Sequence, residues 1–388
     1  MNIPLYYILK NFVARKLTTS LTVFGVALVM FVFVAALMMS NGIRKTLAQT
    51  GSPDNVIVTR KSSTGEITSI IDRITGDNIL TLNDVKKAAD GTPIATTDAV
   101  VIINLYKNDG GMSNVTVRGV GKQALALRPN VKLTAGRMFT FGARELVVGS
   151  SITKRFNGAG IGEKIKLAGD KWTIVGVIDA GSSGFNSELW CDVEQLQQAF
   201  NRSQYSTLTF RITDPNNIKA LKMQFAGDPR LNQFEPEIET VYFAKQSETL
   251  SMFISVLGII ITIIFAVGAV IGAVITMYAS VANRVTEIGT LRAVGFGKGS
   301  ILTAFLIESI VMSLTGGLIG IFIASFLQFF TISTLNFDSF SELAFSFSLS
   351  PFDIALAIVF SITMGIVGGF LPAYRAAGMT IVNALRGA

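Results

Sequence analysis

The stretch AVGFGKGS, residues 293–300, has the composition of a phosphate-binding loop. Such a loop follows the pattern G-x-x-x-x-G-K-[ST], in which backbone N–H groups surround the phosphates and the lysine reaches them. Here Arg292 stands at the first glycine position, and Gly299 stands where serine or threonine should follow Lys298. Because the pattern is broken at two positions, we expect no nucleotide to bind to this stretch.

A second glycine motif, VRGVGKQA at residues 117–124, has the G-x-G-x-x-A spacing of a dinucleotide-binding turn. Such a turn must open a helix, and here Pro129 would interrupt that helix after a few residues. The sequence therefore favours a simple turn between two strands, without a bound dinucleotide.

The residue types needed for metal binding or nucleophilic catalysis are nearly absent. The 388 residues include no histidine and one cysteine, Cys191. A zinc site built from cysteine and histidine is thereby excluded, and so are hydrolases that depend on a Ser-His or Cys-His pair. Cys191 is predicted to be a small buried residue, and the chain is not expected to be an enzyme by itself.

The elements that carry the remaining polar residues are mostly predicted membrane spans. Only 15% of the residues are charged, compared with about 25% in soluble proteins. Four long segments contain no charged residue: 17–43, 249–283, 309–337 and 354–374. Each is long enough for the roughly 20 residues that cross a bilayer as a helix. The first exceeds the apolar core of a typical signal peptide, so we predict that it is retained.

The charges that flank the spans predict their orientation. The segments before the first span, between the second and third, and after the fourth are basic, whereas the segment between the third and fourth is acidic. Since basic short loops lie on the cytoplasmic side, we expect both termini and the 283–300 loop in the cytoplasm. The basic residues are Lys10, Arg15, Lys16, Arg284, Arg292, Lys298, Arg375 and Arg386, and the acidic ones are Asp338, Glu342 and Asp353.

The fold class predicted is a membrane protein with four transmembrane helices and a large α+β extracytoplasmic domain between helices 1 and 2. Alternating and β-branched residues predict several strands in that domain. They lie at 55–60, 99–106, 114–120, 145–150, 163–169, 171–179 and 206–213. Helices are predicted over TLNDVKKAA, residues 81–89, and DVEQLQQAFNR, residues 192–202.

The charged segment between the second and third spans is predicted to form a short helix that ends at Gly295, because glycine commonly follows the last helical residue. Glu287 can form an ion pair along such a helix with Arg284 or with Arg292. The residues at helical spacing are Glu287, Leu291 and Val294, and also Ile288 and Arg292.

Two further features of the spans are candidates for a role. Small residues four positions apart allow helices to approach closely, and they occur as Gly268 and Gly272, Gly316 and Gly320, and Gly365 and Gly369. Glu308 is a carboxylate near the start of the third span, and intramembrane carboxylates are candidates for function. Since Glu308 is only about 15 Å along a helix from Lys298, we favour a place at the interface beside Arg284 or Arg292.

Residues 284–320, RVTEIGTLRAVGFGKGSILTAFLIESIVMSLTGGLIG, resemble the signature of the FtsX/MacB-like permease family of ABC transporters. That signature reads R-x-x-E-I-G-x-L-R-A-x-G, followed by a span with F-L-x-E and G-G-x-x-G. The closing stretch GGFLPAYRAAGMTIVNALRG also resembles the family, with Thr380-Ile381 where Pro-Val is common. The segments LTAGRMFT, ELVVGSSITKRF and IGEKIKLAGDKWTIVGVI resemble the periplasmic core domain of the family.

The resemblance implies a permease that works with a dimer of cytoplasmic ABC ATPase subunits on separate chains. ATP would be bound by the ATPase, and no cofactor by this chain. ATP hydrolysis would move the periplasmic domain and so drive export or extraction of a substrate, which is called mechanotransmission. The residues that correspond to the coupling helix of the family, where the ATPase docks, are Arg284, Glu287, Ile288, Leu291, Arg292, Val294 and Gly295.

Further partners implied are a second permease copy or a related permease, membrane lipid, and a periplasmic adaptor or substrate-binding protein. No nucleic acid is expected. The alternative function is a transmembrane signalling scaffold that activates a periplasmic cell-wall hydrolase.

The predicted segments are 1–16 (cytoplasmic), 17–43 (span 1), 44–245 (periplasmic domain), 246–283 (span 2 with a stalk), 284–300 (coupling loop), 301–332 (span 3), 333–351 (periplasmic loop), 352–373 (span 4) and 374–388 (cytoplasmic tail).

Overall fold

The computed structural model describes residues 16–336 and 339–381. The described residues fall into two compact units. The helical unit contains residues up to 41, 252–330 and those from 347 onward, and the sheet unit contains residues 42–251 and 331–346. Three parts of these predictions lie outside the described residues: residues 1–15 of the predicted cytoplasmic segment 1–16, the acidic residue Asp338, and the end of the tail with Arg386.

Four helices in the described part of the chain are long and apolar enough to cross a membrane. They are α1 (Lys16–Ala48), α7 (Glu239–Ala282), α9 (Lys298–Ser325) and α10 (Pro351–Gly378). Each overlaps one of the four spans predicted from the sequence, but α9 ends at Ser325, whereas the third predicted span continues beyond that residue. The 44 residues of α7 give a helix of about 66 Å at 1.5 Å per residue, about twice the thickness of the hydrocarbon core.

The order of elements in the sheet unit alternates strands with short helices. The strands are β1 (Asn55–Arg60), β2 (Ala95–Tyr106), β3 (Met112–Val120), β4 (Lys132–Gly136), β5 (Glu145–Gly149), β6 (Lys164–Leu167), β7 (Asp170–Asp179), β8 (Glu188–Asp192), β9 (Thr207–Arg211) and β10 (Phe234–Ile238). The helices are α2 (Arg73–Leu80), α3 (Ala124–Leu127), α4 (Ser150–Arg155), α5 (Val193–Ala199) and α6 (Ile218–Gly227).

One mixed sheet of ten strands organises this unit. Its order is β10-β1-β9-β2-β3-β8-β5-β7-β4, with β6 paired to β7. Most pairs are antiparallel, but β3 with β8 and β5 with β7 are parallel. One apolar cluster includes Val56, Phe210 and Phe225 from β1, β9 and α6, and another includes Val117, Trp172 and Leu196 from β3, β7 and α5. This α+β unit lies between the first and second long helices, as predicted.

The seven predicted strands are present, with ends that differ by up to four residues. The helix predicted over residues 81–89 is wrong. The helix lies earlier, at α2, where the Asp72 side chain accepts a hydrogen bond from the N–H of Thr75 at 2.9 Å. Val85 instead forms an isolated bridge to Ile212 and is buried against β9. Helical propensity over 81–89 is outweighed there by burial of an extended segment.

Three strands of the sheet were not expected from the sequence: β4, β8 and β10. β4 is exposed along its whole length, so it lacks the alternation that indicates a strand. β10 contains Pro236 and lies at one end of the sheet, where proline is tolerated because one side of the strand makes no ladder bonds.

A further strand pair lies between α9 and α10. β11 (Thr331–Leu335) and β12 (Glu342–Ser346) form an antiparallel hairpin, where the sequence predicted the end of the third span and a loop. The next helix, α10, begins with a capping box in which the Ser350 side chain and Asp353 satisfy each other's backbone N–H groups. The Asp353 carboxylate also accepts a hydrogen bond from Asn41 Nδ2 of α1 at 2.6 Å.

Candidate coupling site

The charged segment between α7 and α9 forms a two-turn helix, α8 (Val285–Ala293). After it, the N–H of Gly295 donates to the carbonyl of Arg292 at 3.2 Å, and the N–H of Phe296 donates to the carbonyl of Leu291 at 3.1 Å. These two bonds form a Schellman motif, which requires a left-handed residue. Gly295 supplies it with φ of +107°, so the end of the helix lies where the sequence predicts it.

One face of α8 packs against the helical unit. Ile288 is 1% exposed and clusters with Phe305, Ala373 and Ala376. Ile288 was predicted as one of the residues of the coupling helix. Its side chain is part of the core under α8, so it lies on the face of α8 that packs inward. Thr286, Thr290 and Val294 are exposed instead, and Leu291 and Arg292 are half-buried. The exposed threonines could have been anticipated, since they continue the helical spacing on the face opposite Ile288.

Arg284 links α8 to the third span. Its guanidinium forms two hydrogen bonds of 3.0 Å with Glu287 and one of 2.9 Å with Glu308 Oε2, and it lies 4.9 Å from the centre of the Phe305 ring. Of the two partners predicted for Glu287, the structure therefore selects Arg284. Glu308 lies beside the same arginine. Burial, and then the nearby Glu308 carboxylate, raise the pKa of Glu287 above its usual value.

Four of the six predicted packing glycines lie where helices approach closely. A Cβ on Gly316 would be 2.7 Å from the carbonyl oxygen of Val23, and one on Gly320 would be 2.6 Å from that of Ala27. Both neighbours belong to α1. A Cβ on Gly365 would be 2.8 Å from Ile310 Cα, and one on Gly369 would overlap Ser309. α1, α9 and α10 thus approach each other at distances that only glycine allows.

The same contacts involve small residues that the sequence analysis did not single out. A Cβ on Gly317 would be 2.5 Å from Ser361 Oγ, and one on Gly368 would be 3.1 Å from Ala273 Cβ. Ser313 and Ser361 also exchange hydrogen bonds of 2.6 Å between their hydroxyls and each other's carbonyls. The sequence signal for these contacts was a run of adjacent small residues, such as Gly316-Gly317 and Gly368-Gly369, rather than a pair of small residues four positions apart.

Gly268 and Gly272 of α7 do not pack against this chain. A Cβ on either glycine would meet nothing within 4 Å, so the prediction of helix packing at these two positions is wrong for the single chain. They lie instead along an open apolar groove of about 400 Å³ between α7 and α1, together with Phe24, Gly25 and Leu28. The most apolar stretch of α7 has 11% of its residues buried, compared with 50% in α1.

A buried network of charges in the sheet unit escaped the sequence analysis. Arg118 forms bidentate pairs with Glu66 and with Glu188, and Arg128 bonds to Asp98 at 2.9 Å. All five residues are distant in sequence, so spacing carries no signal for them. Paired charges of this kind persist in a core because each carboxylate receives several donors.

The first residue of α7, Glu239, belongs to the same network. Its carboxylate accepts hydrogen bonds from Arg128 Nε at 3.0 Å, from Asn55 Nδ2 at 2.7 Å and from the N–H of Ser52 at 3.0 Å. Gly51 lies so close that a Cβ there would overlap the Glu239 side chain. The start of α7 is therefore fixed in the sheet unit from three directions.

No group of three or more potential metal ligands occurs within residues 16–336 and 339–381. Cys191 is fully buried, and burial raises the pKa of its thiol well above the usual value. Nothing in this arrangement resembles a catalytic centre in the described residues. The features left for a role are therefore the surface of α8, the junction at Arg284 and the long helix α7.

Four membrane-length helices with a mixed α+β domain between the first and second define a multi-span membrane protein with a large inserted domain. The MacB-like periplasmic core domain matches residues 19–227, and the FtsX-like permease C-terminal domain matches residues 244–381. The chain belongs to this MacB/FtsX family of ABC transporter permeases, and the matched domains are permease domains.

Two relatives in sequence agree with this assignment. The uncharacterized ABC transporter permease YknZ of Bacillus subtilis is 25% identical, and the alignment covers 97% of both chains. The macrolide export ATP-binding/permease protein MacB of Chromobacterium violaceum is 25% identical over 96% of this chain, which spans 58% of that protein's length. The periplasmic region of MacB from Actinobacillus actinomycetemcomitans covers 52% of this chain, with 13% identity and a TM-score of 0.38.

Proposed function

We propose that this permease couples ATP hydrolysis by a separate cytoplasmic ATPase to movement of its periplasmic domain, and so drives export or extraction of a substrate. The observation that carries the proposal is α7. This one helix starts at Glu239, inside the sheet unit, and ends at Ala282, and only two residues separate it from the start of α8 at Val285. A displacement of α8 would therefore be passed along an uninterrupted helix.

The surface of α8 supports docking of a partner protein. Val294 is 65% exposed and follows the last helical residue, beside Thr290. A single exposed apolar residue is common on protein surfaces, so Val294 supports the proposal through its position at the end of α8. Half-buried Leu291 and Arg292 complete this surface. Ile288 and the Arg284 ion pairs would fix α8 on the helical unit, so that force applied from outside is not lost in the junction.

The charge pattern supports an orientation with both termini and α8 in the cytoplasm, and the sheet unit in the periplasm. The uncovered groove at Gly25, Gly268 and Gly272 supports a second permease copy, since small residues allow a helix to approach closely within a membrane. A periplasmic adaptor or substrate-binding protein, and lipid around the exposed apolar faces, belong to the same proposal.

Replacing Val294 by Asp tests the coupling surface. A charge in a desolvated contact is costly, and each 1.4 kcal/mol lowers affinity about tenfold. We therefore expect at least about a tenfold loss of ATPase association in a pull-down with the partner ATPase. Because Val294 is exposed, the permease itself should keep its thermal stability.

The matched control is Val241→Asp, since Val241 is also exposed but lies near the start of α7. It should leave ATPase association unchanged. Full association of Val294→Asp at normal expression would show that α8 is only a connector between spans.

A further inference from the structure

The segment between α9 and α10 belongs to the sheet unit although its neighbours on both sides belong to the helical unit. Its two strands pair over their whole length, from Thr331 with Ser346 to Leu335 with Glu342. Leu343, Ala344 and Phe345 of β12 are buried. A hairpin this short is marginal in water by itself, so its order depends on the surface against which it packs.

A buried carboxylate fixes the hairpin to that surface. The Glu342 side chain is 4% exposed, and it forms ion pairs with Lys107 Nζ at 3.0 Å and with Arg155. Lys107 follows β2, and Arg155 is the last residue of α4. A buried carboxylate is unfavourable unless it is paired, so removal of the hairpin from this surface would also separate Glu342 from both cations.

Neutral contacts extend the same attachment. The N–H of Ala344 donates to Ser187 Oγ at 2.9 Å, and Asn114 Nδ2 donates to the carbonyl of Phe340 at 2.8 Å. At the other end of β12, a Cβ on Gly42 would overlap the carbonyl oxygen of Ser346. The hairpin thus touches strand β3, the turn before β8 and the last turns of α1.

We propose that this hairpin is a docking surface through which α9 and α10 hold the sheet unit, and that Glu342 is its positioning residue. It gives a second route of transmission beside α7, because α9 starts at Lys298, three residues after the glycine that ends α8. The proposal rests on the function proposed above, since the movement it carries is the one driven by ATP.

Docking is tested with single cysteines in full-length permease. Cys191 is buried, so it contributes little labelling. Ala344→Cys lies at a buried position and Ser346→Cys at an exposed one on the same strand. With Glu342 in place, Ser346→Cys should react with a thiol reagent at least about tenfold faster than Ala344→Cys. In a Glu342→Gln background, the labelling rate of Ala344→Cys should rise about tenfold. A tenfold rise corresponds to a loss of about 1.4 kcal/mol in the free energy that holds the hairpin on the sheet unit. Equal labelling of both positions with Glu342 in place would overturn the docking.

Transmission is tested in lipid nanodiscs that contain the permease and its ATPase. A spin label at Gln224→Cys, an exposed position on α6, reports the distance between the sheet units of two copies. ATP should change this distance in the wild-type protein, and Glu342→Gln should reduce the change while ATPase association is kept. Glu342→Asp, which keeps the charge, should restore at least part of it.

The control variant is Glu194→Gln, which breaks an exposed ion pair with Arg73 and should leave the change intact. If ATP changes the distance in Glu342→Gln as much as in the wild type, the hairpin is not a route of transmission, although the proposed function stands. If the wild-type protein itself shows no change with ATP, the proposed function fails, and the role of the hairpin fails with it.

Discussion

Arg284 joins two carboxylates that belong to different elements of the helical unit. Glu287 belongs to α8 and Glu308 to α9, and both bond to its guanidinium. Its side chain is 11% exposed, so water contributes little to its solvation. The family signature places an arginine and two glutamates in sequence, and the structure adds that they form one cluster.

Replacing Arg284 by Met should destabilise the helical unit. The change leaves Glu287 and Glu308 close together without their shared cation, and loss of one partner of a buried pair costs about 3–5 kcal/mol. Thermal unfolding of the purified permease in detergent would measure it as a lower Tm.

Arg230→Met is the matched control for that change, because Arg230 pairs with Asp228 in an exposed position, with 72% of its side chain accessible. Such a pair contributes about 0–1 kcal/mol. If both variants unfold at the wild-type temperature, Arg284 does not stabilise the junction.

Cys191 should be nearly inert in the folded protein. Burial raises the pKa of its thiol, and the thiolate is the reactive form. At neutral pH we expect a maleimide to label the native permease far more slowly than the urea-unfolded permease, as measured by mass spectrometry. Comparable rates in the two states would contradict the burial of β8.

At the scale of elements, the glycines of the spans divide into two groups. Gly316, Gly320, Gly365 and Gly369 of α9 and α10 are covered by helices of the same chain, whereas Gly268 and Gly272 of α7 are open. A substitution of the same kind should therefore have different consequences in the two groups.

Gly320→Leu should lower the thermal stability of the permease, because its Cβ would be 2.6 Å from the carbonyl of Ala27. Overpacking of this kind costs about 1–3 kcal/mol. Gly268→Leu should leave the Tm of the single chain unchanged and instead weaken association of two copies, measured by cross-linking in membranes. Equal losses of stability in the two variants would contradict this division.

Long apolar runs were predictable because the membrane requires them, and so were the helical unit and the end of α8 at Gly295. The side of α8 that is buried was not predictable, since Ile288 and Val294 are both apolar and only the position of Phe305 and Ala373 distinguishes them. The network of Arg118 and its carboxylates joins residues far apart in the chain, and local pattern contains no trace of it. The β11–β12 hairpin was missed because its short strands follow an apolar span directly.

At the scale of the whole molecule, the proposed orientation predicts which surfaces a membrane-impermeant thiol reagent reaches. In intact cells, Gln224→Cys in the sheet unit should be labelled, and Gly299→Cys beside α8 should be shielded until the cells are permeabilised. Both positions are exposed in the structure, so the difference would come from the membrane alone. Labelling of Gly299→Cys in intact cells would contradict the proposed orientation and place α8 outside the cytoplasm.

Glu239 also restricts rotation. Its carboxylate is held by donors from Arg128, Asn55 and Ser52, and a turn of α7 about its own axis would pull it away from all three. The thirteen residues from Glu239 to Ser251 contain no glycine or proline, so this part of the helix has no residue at which a hinge would readily form. The start of α7 is therefore held against rotation about its own axis. Under the proposed function, a rotation of α7 at Ser251 would reach Glu239 as rotation, in addition to any displacement along the helix axis.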